Sequence, residues 1–86
     1  MVNLGAQKLA LFRGDVSMEA AGASIDVGRM TWHGWEHGNR IPSKGLMRKL
    51  VALVPDLSAG DFYADPDPAL AAKLAAASNL QRSEAA

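Results

Sequence analysis

The chain has 86 residues, no cysteine and a formal net charge of zero. Its length fits one small domain, and the absence of cysteine excludes a disulfide framework and a thiolate metal site. No apolar run approaches the roughly 20 residues that span a bilayer. Lys8 interrupts the apolar N-terminal segment, which is therefore a poor signal peptide. We expect a cytoplasmic protein with no membrane partner.

The charge is distributed unevenly along the chain. Residues 1–55 carry seven Lys or Arg and four Asp or Glu, whereas residues 56–86 carry two and five. A basic body with an acidic tail can still attract phosphate, because the field near a surface depends on the local charge. Ordinary solvated charge explains the same pattern. The distribution therefore permits a nucleic-acid partner without establishing one.

The first predicted helix begins at Asn3 or Leu4 and ends at Phe12, because Arg13-Gly14-Asp15 favours a turn. We expect four residues on its inward side: Leu4, Ala6, Leu9 and Phe12.

Two further short helices, joined by a tight turn, are predicted to follow. Ser17 is a good N-cap of the first of them, because its hydroxyl accepts hydrogen bonds from free amides of the first turn. Ala21 and Ile25 lie four residues apart and share one face. Asp26-Val27-Gly28 forms the turn, since Asp tolerates a left-handed backbone. The sequence thus predicts a helix, a turn of a few residues and a second helix.

This next helix, predicted from Arg29 to about His37, has an aromatic inner face. Trp32 and Trp35 stand at i and i+3 and point into the core. Gly38 closes the helix as a C-cap, and Pro42 prevents its continuation. The residues expected on or near the outer surface are Arg29, Met30, Thr31, His33 and Gly34.

The fourth predicted helix begins after the N-cap Ser43 and ends at about Leu53. Its core face is formed by Leu46, Leu50 and Leu53, and Pro55 stops it. A short helical turn follows within residues 57–63, with Leu57 and Phe62 covering the core. The basic residues of the fourth helix lie on its outer side: Lys44, Arg48 and Lys49.

Residues 64–86 differ in composition from the predicted domain of residues 1–63. Residues 64–68 are an acidic, proline-containing linker that favours an extended backbone. Residues 69–86 are rich in alanine and have high helix propensity, but Leu70 and Leu74 give only a thin apolar stripe. Two alternatives remain open for this tail: a disordered or fraying segment, or a helix that packs onto a partner subunit.

The segment from Ser17 to Pro42 resembles the Cro and lambda-repressor-like (XRE-type) helix-turn-helix family of bacterial and phage DNA-binding proteins. The run WEHGNRIP, from Trp35 to Pro42, is its most specific part. The resemblance covers residues 4–60 and implies an all-α fold of four to five short helices. Met18 replaces the usual Gln after the cap, and Asp26 replaces the usual turn Gly.

The resemblance implies a transcriptional regulator, a repressor, that binds double-stranded DNA as a homodimer. Arg29 suits a bidentate contact to guanine, and Met30 suits either a thymine methyl group or the core. Glu36 is expected to pair with Arg13 or Lys8 and to hold two helices together. The candidate DNA-binding residues are Ser17, Met18, Gly28, Arg29, Met30, Thr31, His33, Gly34, Asn39, Arg40 and Lys44.

An alternative function belongs to a different class: a protein-interaction module or antitoxin that binds a protein partner through residues 69–80. No catalytic constellation and no cofactor motif is present, so we do not expect an enzyme. His33 and His37 fall within an H-x-x-E-H pattern of zinc proteases. We interpret that match as chance, since the chain has no third His or Cys to complete a zinc site.

Overall fold

The computed structural model describes residues 2–85, with side chains described up to residue 77. This part of the chain is all-α and contains no strand, which confirms the predicted fold class. A 3-10 helix precedes the last of its five α-helices. The elements are α1 (Leu4–Arg13), α2 (Met18–Ala23), α3 (Arg29–Glu36), α4 (Lys44–Leu53), the 3-10 helix (Ala59–Tyr63) and α5 (Pro68–Ala85).

The core is built around two tryptophans of α3. The rings of Trp32 and Trp35 lie 5.8 Å apart at an angle of 55°, and both side chains are fully buried with Leu9 and Leu50. Burying a large apolar side chain contributes about 1.5–3 kcal/mol, so these four dominate a small core. The smaller members of the core cluster are Ala21, Ile25, Val54, Leu57 and Phe62.

The predicted inward position of Phe12 is wrong, because this side chain is 45% exposed. Four residues after Leu9, which is fully buried, the same face of α1 carries Arg13 and not Phe12. Arg13 turns toward Glu36 of α3 and makes two hydrogen bonds with it. A half-buried arginine paired with a buried glutamate therefore takes the place that an apolar residue was expected to fill.

The turn between α2 and α3 has the predicted left-handed residue. Asp26 has a φ of 60°, a conformation that Asp tolerates better than most residues. The Ser17 hydroxyl accepts a hydrogen bond from the Ala20 amide at 3.1 Å, as expected of the N-cap. Gly22 lets the turn pack closely, since a Cβ there would stand 2.6 Å from the carbonyl oxygen of Val27. Local chemistry thus fixes how α3 follows α2.

The ends of α3 and α4 agree with the predictions to within one residue. Regular helix in α3 stops at Glu36, and Gly38 follows with a φ of 72°. Ser43 occupies the N-cap position of α4, but its side chain makes no capping hydrogen bond there.

The linker and tail are attached to α1 of the same chain. The Gln7 side chain accepts a hydrogen bond from the Asp67 amide at 2.7 Å and donates one to the Asp67 carbonyl at 3.1 Å. The Leu4 amide also donates to the Ala64 carbonyl. Helix α5 then contacts α1, with Leu70 and Leu74 half-buried. Over residues 68–77 the tail is therefore a helix that lies beside α1 of its own chain.

Candidate nucleic-acid interface

The outer face of α3 is polar and accessible, opposite its buried tryptophans. Arg29 is exposed, and Thr31 and His33 are half-buried. Met30 is 70% exposed, so the alternative that it fills the core is wrong. A large apolar side chain held in solvent beside an arginine is available to a ligand, not to the core.

Gly34 does not lie on the outer surface, contrary to the prediction. It is buried, and a Cβ built on it would stand 3.1 Å from the side-chain carbons of Arg40. Its carbonyl accepts hydrogen bonds from the amides of Asn39 at 2.9 Å and Arg40 at 3.2 Å. The chain turns back over α3 after Gly38 and covers this position. Gly34 therefore seats the Arg40 side chain and offers no surface of its own.

The remaining candidate residues flank α3. Met18, one of the candidate DNA-binding residues, is half-buried and packs against the core, so its side chain has a structural place. The hydroxyl of Ser17 is already used as the cap of α2. The exposed candidates in these flanks are Ser17, Gly28, Asn39, Arg40 and Lys44.

The segment of residues 29–49 carries a concentrated positive charge. Its one acidic residue, Glu36, is neutralised by Arg13. Within the described side chains, none of its Lys or Arg residues makes an ion pair with an acid. The surface around α3 and α4 is therefore basic although the whole chain is neutral. These unpaired cations are Arg29, Arg40, Lys44, Arg48 and Lys49.

Glu36 joins α1 to α3 through a buried network. Its carboxylate accepts hydrogen bonds from Nε and Nη2 of Arg13, at 2.6 and 2.9 Å, and from the indole N–H of Trp32. Arg13 also donates to the Val16 carbonyl at 2.8 Å. The hydrogen bond with Glu36 raises the pKa of the Arg13 guanidinium above its ordinary value. Of the two partners that the sequence left open, the structure selects Arg13 and not Lys8.

Lys8 instead holds the 3-10 helix against α1. Its ammonium donates to Asp61 Oδ2 at 2.8 Å and to the Asp56 carbonyl at 2.7 Å. The same carboxylate oxygen accepts the Ser58 amide at 2.9 Å. Burial raises the pKa of Asp61, but the hydrogen bonds from Lys8 and Ser58 outweigh it, and the net pKa lies below the ordinary value.

His33 of α3 and His37, the residue after the end of α3, stack on each other. Their ring centroids are 3.9 Å apart with an interplanar angle of 15°, and Nδ1 of His37 lies 2.9 Å from the carbonyl oxygen of His33. Among the described residues, no group of three or more His, Cys, Asp or Glu side chains is placed to hold a metal ion.

Sequence reasoning missed Gln7. It is buried and clamps the linker to α1, yet a single Gln in an apolar segment gives no signal of this contact.

Comparison with known proteins finds no matching family model, no matching curated protein and no matching solved structure. Within the described part of the chain, no helix combines the length and apolar character that crossing a membrane requires.

Proposed function

We propose that this chain is a sequence-specific, double-stranded DNA-binding transcriptional regulator of the Cro and lambda-repressor-like type, acting as a repressor. One observation carries the proposal: every Lys and Arg of residues 29–49 lacks an ion pair within the described side chains, and two of them, Arg29 and Arg40, lie on or against a helix whose other face is fixed in the core. Unpaired cations around a rigid helix are suited to phosphate and base edges.

In this proposal α3 enters the major groove, which is wide enough to admit one α-helix. Arg29 stands at the first residue of α3, where its guanidinium can donate to O6 and N7 of a guanine. Met30 is the apolar neighbour that would lie against a thymine methyl group. His33, one turn further along, is a donor for a base acceptor or a phosphate. Three side chains would thus carry the direct readout.

Arg40 and Lys44 would contact the phosphate backbone beside the groove. Arg40 is positioned because its aliphatic part rests on Gly34, and Lys44 is the first residue of α4. Contacts of this kind set the register of α3 on the duplex but carry no sequence information. Arg29 and Arg40 are therefore expected to have different roles, although both are exposed arginines.

Fluorescence anisotropy tests this difference. A labelled random duplex and the DNA upstream of the protein's own gene are titrated at about 50 and 200 mM salt. Arg29→Ala should reduce the preference for the upstream DNA by about 1–3 kcal/mol. Arg40→Ala should weaken both DNAs alike and lower the salt dependence, by a slope of about 0.9 for each phosphate that the side chain no longer neutralises. Lys73→Ala removes an exposed cation of α5 and is the matched control.

Two results would contradict the proposal. Binding of both DNAs that is weakened equally in Lys73→Ala and Arg29→Ala would point to non-specific attraction. Absence of binding at low salt would favour the protein-interaction alternative. That alternative gains nothing from the tail stripe, since Leu70 and Leu74 are half-buried beside α1.

A further inference from the structure

Helix α4 carries a second stripe of side chains besides the face that enters the core. Its members recur every three or four residues, the spacing that places side chains on one face of a helix. Together with Tyr63 of the 3-10 helix, this stripe lines a groove of about 620 Å³, the α4 groove. The α4 residues of the stripe are Lys44, Met47, Arg48 and Val51.

Two large apolar side chains of the α4 groove are exposed to solvent. Val51 is 40% exposed, and Tyr63 is 75% exposed. A tyrosine anchors protein interfaces well, because its broad ring packs on apolar surface while its hydroxyl keeps a polar partner. Covering these two side chains is favourable, so the groove suits a ligand with an apolar face.

The α4 groove is open along its length. Apart from the buried Pro42 and the half-buried Met47, every residue that lines it is exposed. Sites for small molecules enclose most of the ligand surface, whereas an open apolar groove accepts the apolar face of an amphipathic helix. Helix α4 has 10 residues and is about 15 Å long. A partner helix of about three turns therefore matches it in length.

The charge in the α4 groove has one sign. Lys44 and Arg48 line it, and among the described residues no Asp or Glu does so. Neither cation makes an ion pair with a described side chain. Like charges four residues apart on a helix repel each other, so an acid placed between them is favourable. Lys44 is also the first residue of α4, where the partial positive charge of the helix end adds to the attraction.

We propose that the α4 groove binds an acidic, amphipathic helix of a partner protein. The apolar face of that helix covers Val51 and Tyr63, and an Asp or Glu at the edge of the same face meets Lys44 and Arg48. Charge complementarity selects this partner over a basic one, because like charges brought together across an interface cost free energy.

Lys44 belongs both to the α4 groove and to the proposed DNA-binding surface. An acidic helix that engages Lys44 removes one phosphate contact and should weaken DNA binding. This consequence rests on the proposed function, whereas binding of the helix itself does not. If DNA binding fails its own test, the groove remains testable with peptides alone.

A display library of helix-favouring peptides, each of about 14 residues or four turns, is the first probe. It is selected on the full-length protein, and backbone amide shifts locate the selected peptides. We expect peptides that combine an apolar stripe with an Asp or Glu and that shift amides of α4 and the 3-10 helix. A selection without binders, binders without an acid, or shifts confined to α1 and α5 would overturn the inference.

Removal of the aromatic anchor tests the apolar contact. Tyr63→Ser should raise the Kd of the best selected peptide by at least about tenfold. Phe12→Ser removes another exposed aromatic ring, from α1, and should leave that Kd unchanged. Thermal unfolding checks that both variants are folded. Equal effects of the two variants on the Kd would contradict the proposed contact.

Charge reversal tests the polar contact. Arg48→Glu should raise the Kd of the same peptide by at least about fivefold, and a peptide whose acid is replaced by Lys should bind Arg48→Glu more tightly than wild type. Lys49→Glu makes the same charge change at an exposed residue of α4 that does not line the groove. If Lys49→Glu weakens binding as much as Arg48→Glu, only general attraction is present and the inference fails.

Sedimentation equilibrium of the protein alone tests a second copy of the chain as the other occupant. A wild type that is monomeric, or whose association Tyr63→Ser leaves unchanged, agrees with a groove that is free for a partner. Self-association that Tyr63→Ser abolishes would place a second copy in the α4 groove and overturn the inference.

Discussion

Charged side chains are paired on one side of α3 and, among the described residues, unpaired on the other. On the side that meets α1, the half-buried Arg13 and the buried Glu36 form an ion pair with two hydrogen bonds. Lys8 and Asp61 form a second pair, which joins α1 to the 3-10 helix. On the outer side, Arg29 and the cations that follow it have no acidic partner among the described side chains. Charge that is paired inside fixes the position of α3, and charge left unpaired outside is available to a ligand.

Breaking the inner pair should have the largest effect. Arg13→Met leaves the Glu36 carboxylate buried without its cation, and loss of one partner of a buried pair costs about 3–5 kcal/mol. That is comparable with the whole stability of a small domain, so urea denaturation should find the variant largely unfolded. The double variant that also carries Glu36→Gln has no unpaired charge at this place and should recover most of the lost stability. If the free energy of unfolding of Arg13→Met alone lies within about 0.5 kcal/mol of the wild type, the pair does not stabilise the fold.

Close packing at the turn between α2 and α3 should give the next largest effect. Gly22→Ala forces a methyl group against the Val27 carbonyl, which stands 2.6 Å from the Cβ position, and overpacking costs about 1–3 kcal/mol. Gly45→Ala on the open surface of α4 meets nothing within 4 Å and should stabilise the protein by about 0.5–1 kcal/mol through higher helix propensity. If both variants changed the free energy of unfolding equally, this difference in packing between Gly22 and Gly45 would be contradicted.

The Lys8–Asp61 pair should make stability depend on pH. The folded pKa of Asp61 lies below its ordinary value of 3.8, so its contribution is complete above that value and is lost as pH falls through the lower, folded pKa. Asp61→Asn should therefore reduce stability near neutral pH, by about 1 kcal/mol through weaker hydrogen bonding, and flatten the acid side of the profile. Asp65→Asn, an exposed acid, is the control. If the stability of Asp61→Asn and of the wild type fell equally steeply as the pH is lowered, this role of Asp61 would be ruled out.

Removing the outer cations should have the smallest effect on stability. Arg29→Ala and Lys49→Ala alter exposed residues with no ion pair among the described side chains, and such changes stay within about 0.5 kcal/mol. Thermal unfolding of each variant would measure this. A loss as large as that of Gly22→Ala would mean that these residues serve the fold.

Elements whose ends depend on local chemistry could be predicted from the sequence. The Ser17 cap, the left-handed Asp26 and the Gly38 position after α3 follow from properties of the residues themselves, and the structure has all three. The burial of Trp32 and Trp35 follows from their helical spacing. These features also define the face of α3 that remains exposed.

Features that depend on contacts outside the same helix could not be predicted in this way. Burial of Gly34 depends on where Arg40 returns, and exposure of Phe12 depends on Arg13 reaching across to α3. The Gln7 clamp joins residues that are 60 positions apart. The spacing of apolar residues along one helix does not show which other segment of the chain packs against it.

Chemical-shift mapping tests the central claim most directly. The labelled protein is titrated with a short DNA duplex, and backbone amide shifts are followed at low and at physiological salt. The proposal predicts shifts concentrated in residues 28–33 and 39–44, reduced by salt, with α1 and α5 largely unaffected. Shifts confined to α5, or none at a protein concentration where the duplex is in excess, would contradict a DNA-binding role for the outer face of α3.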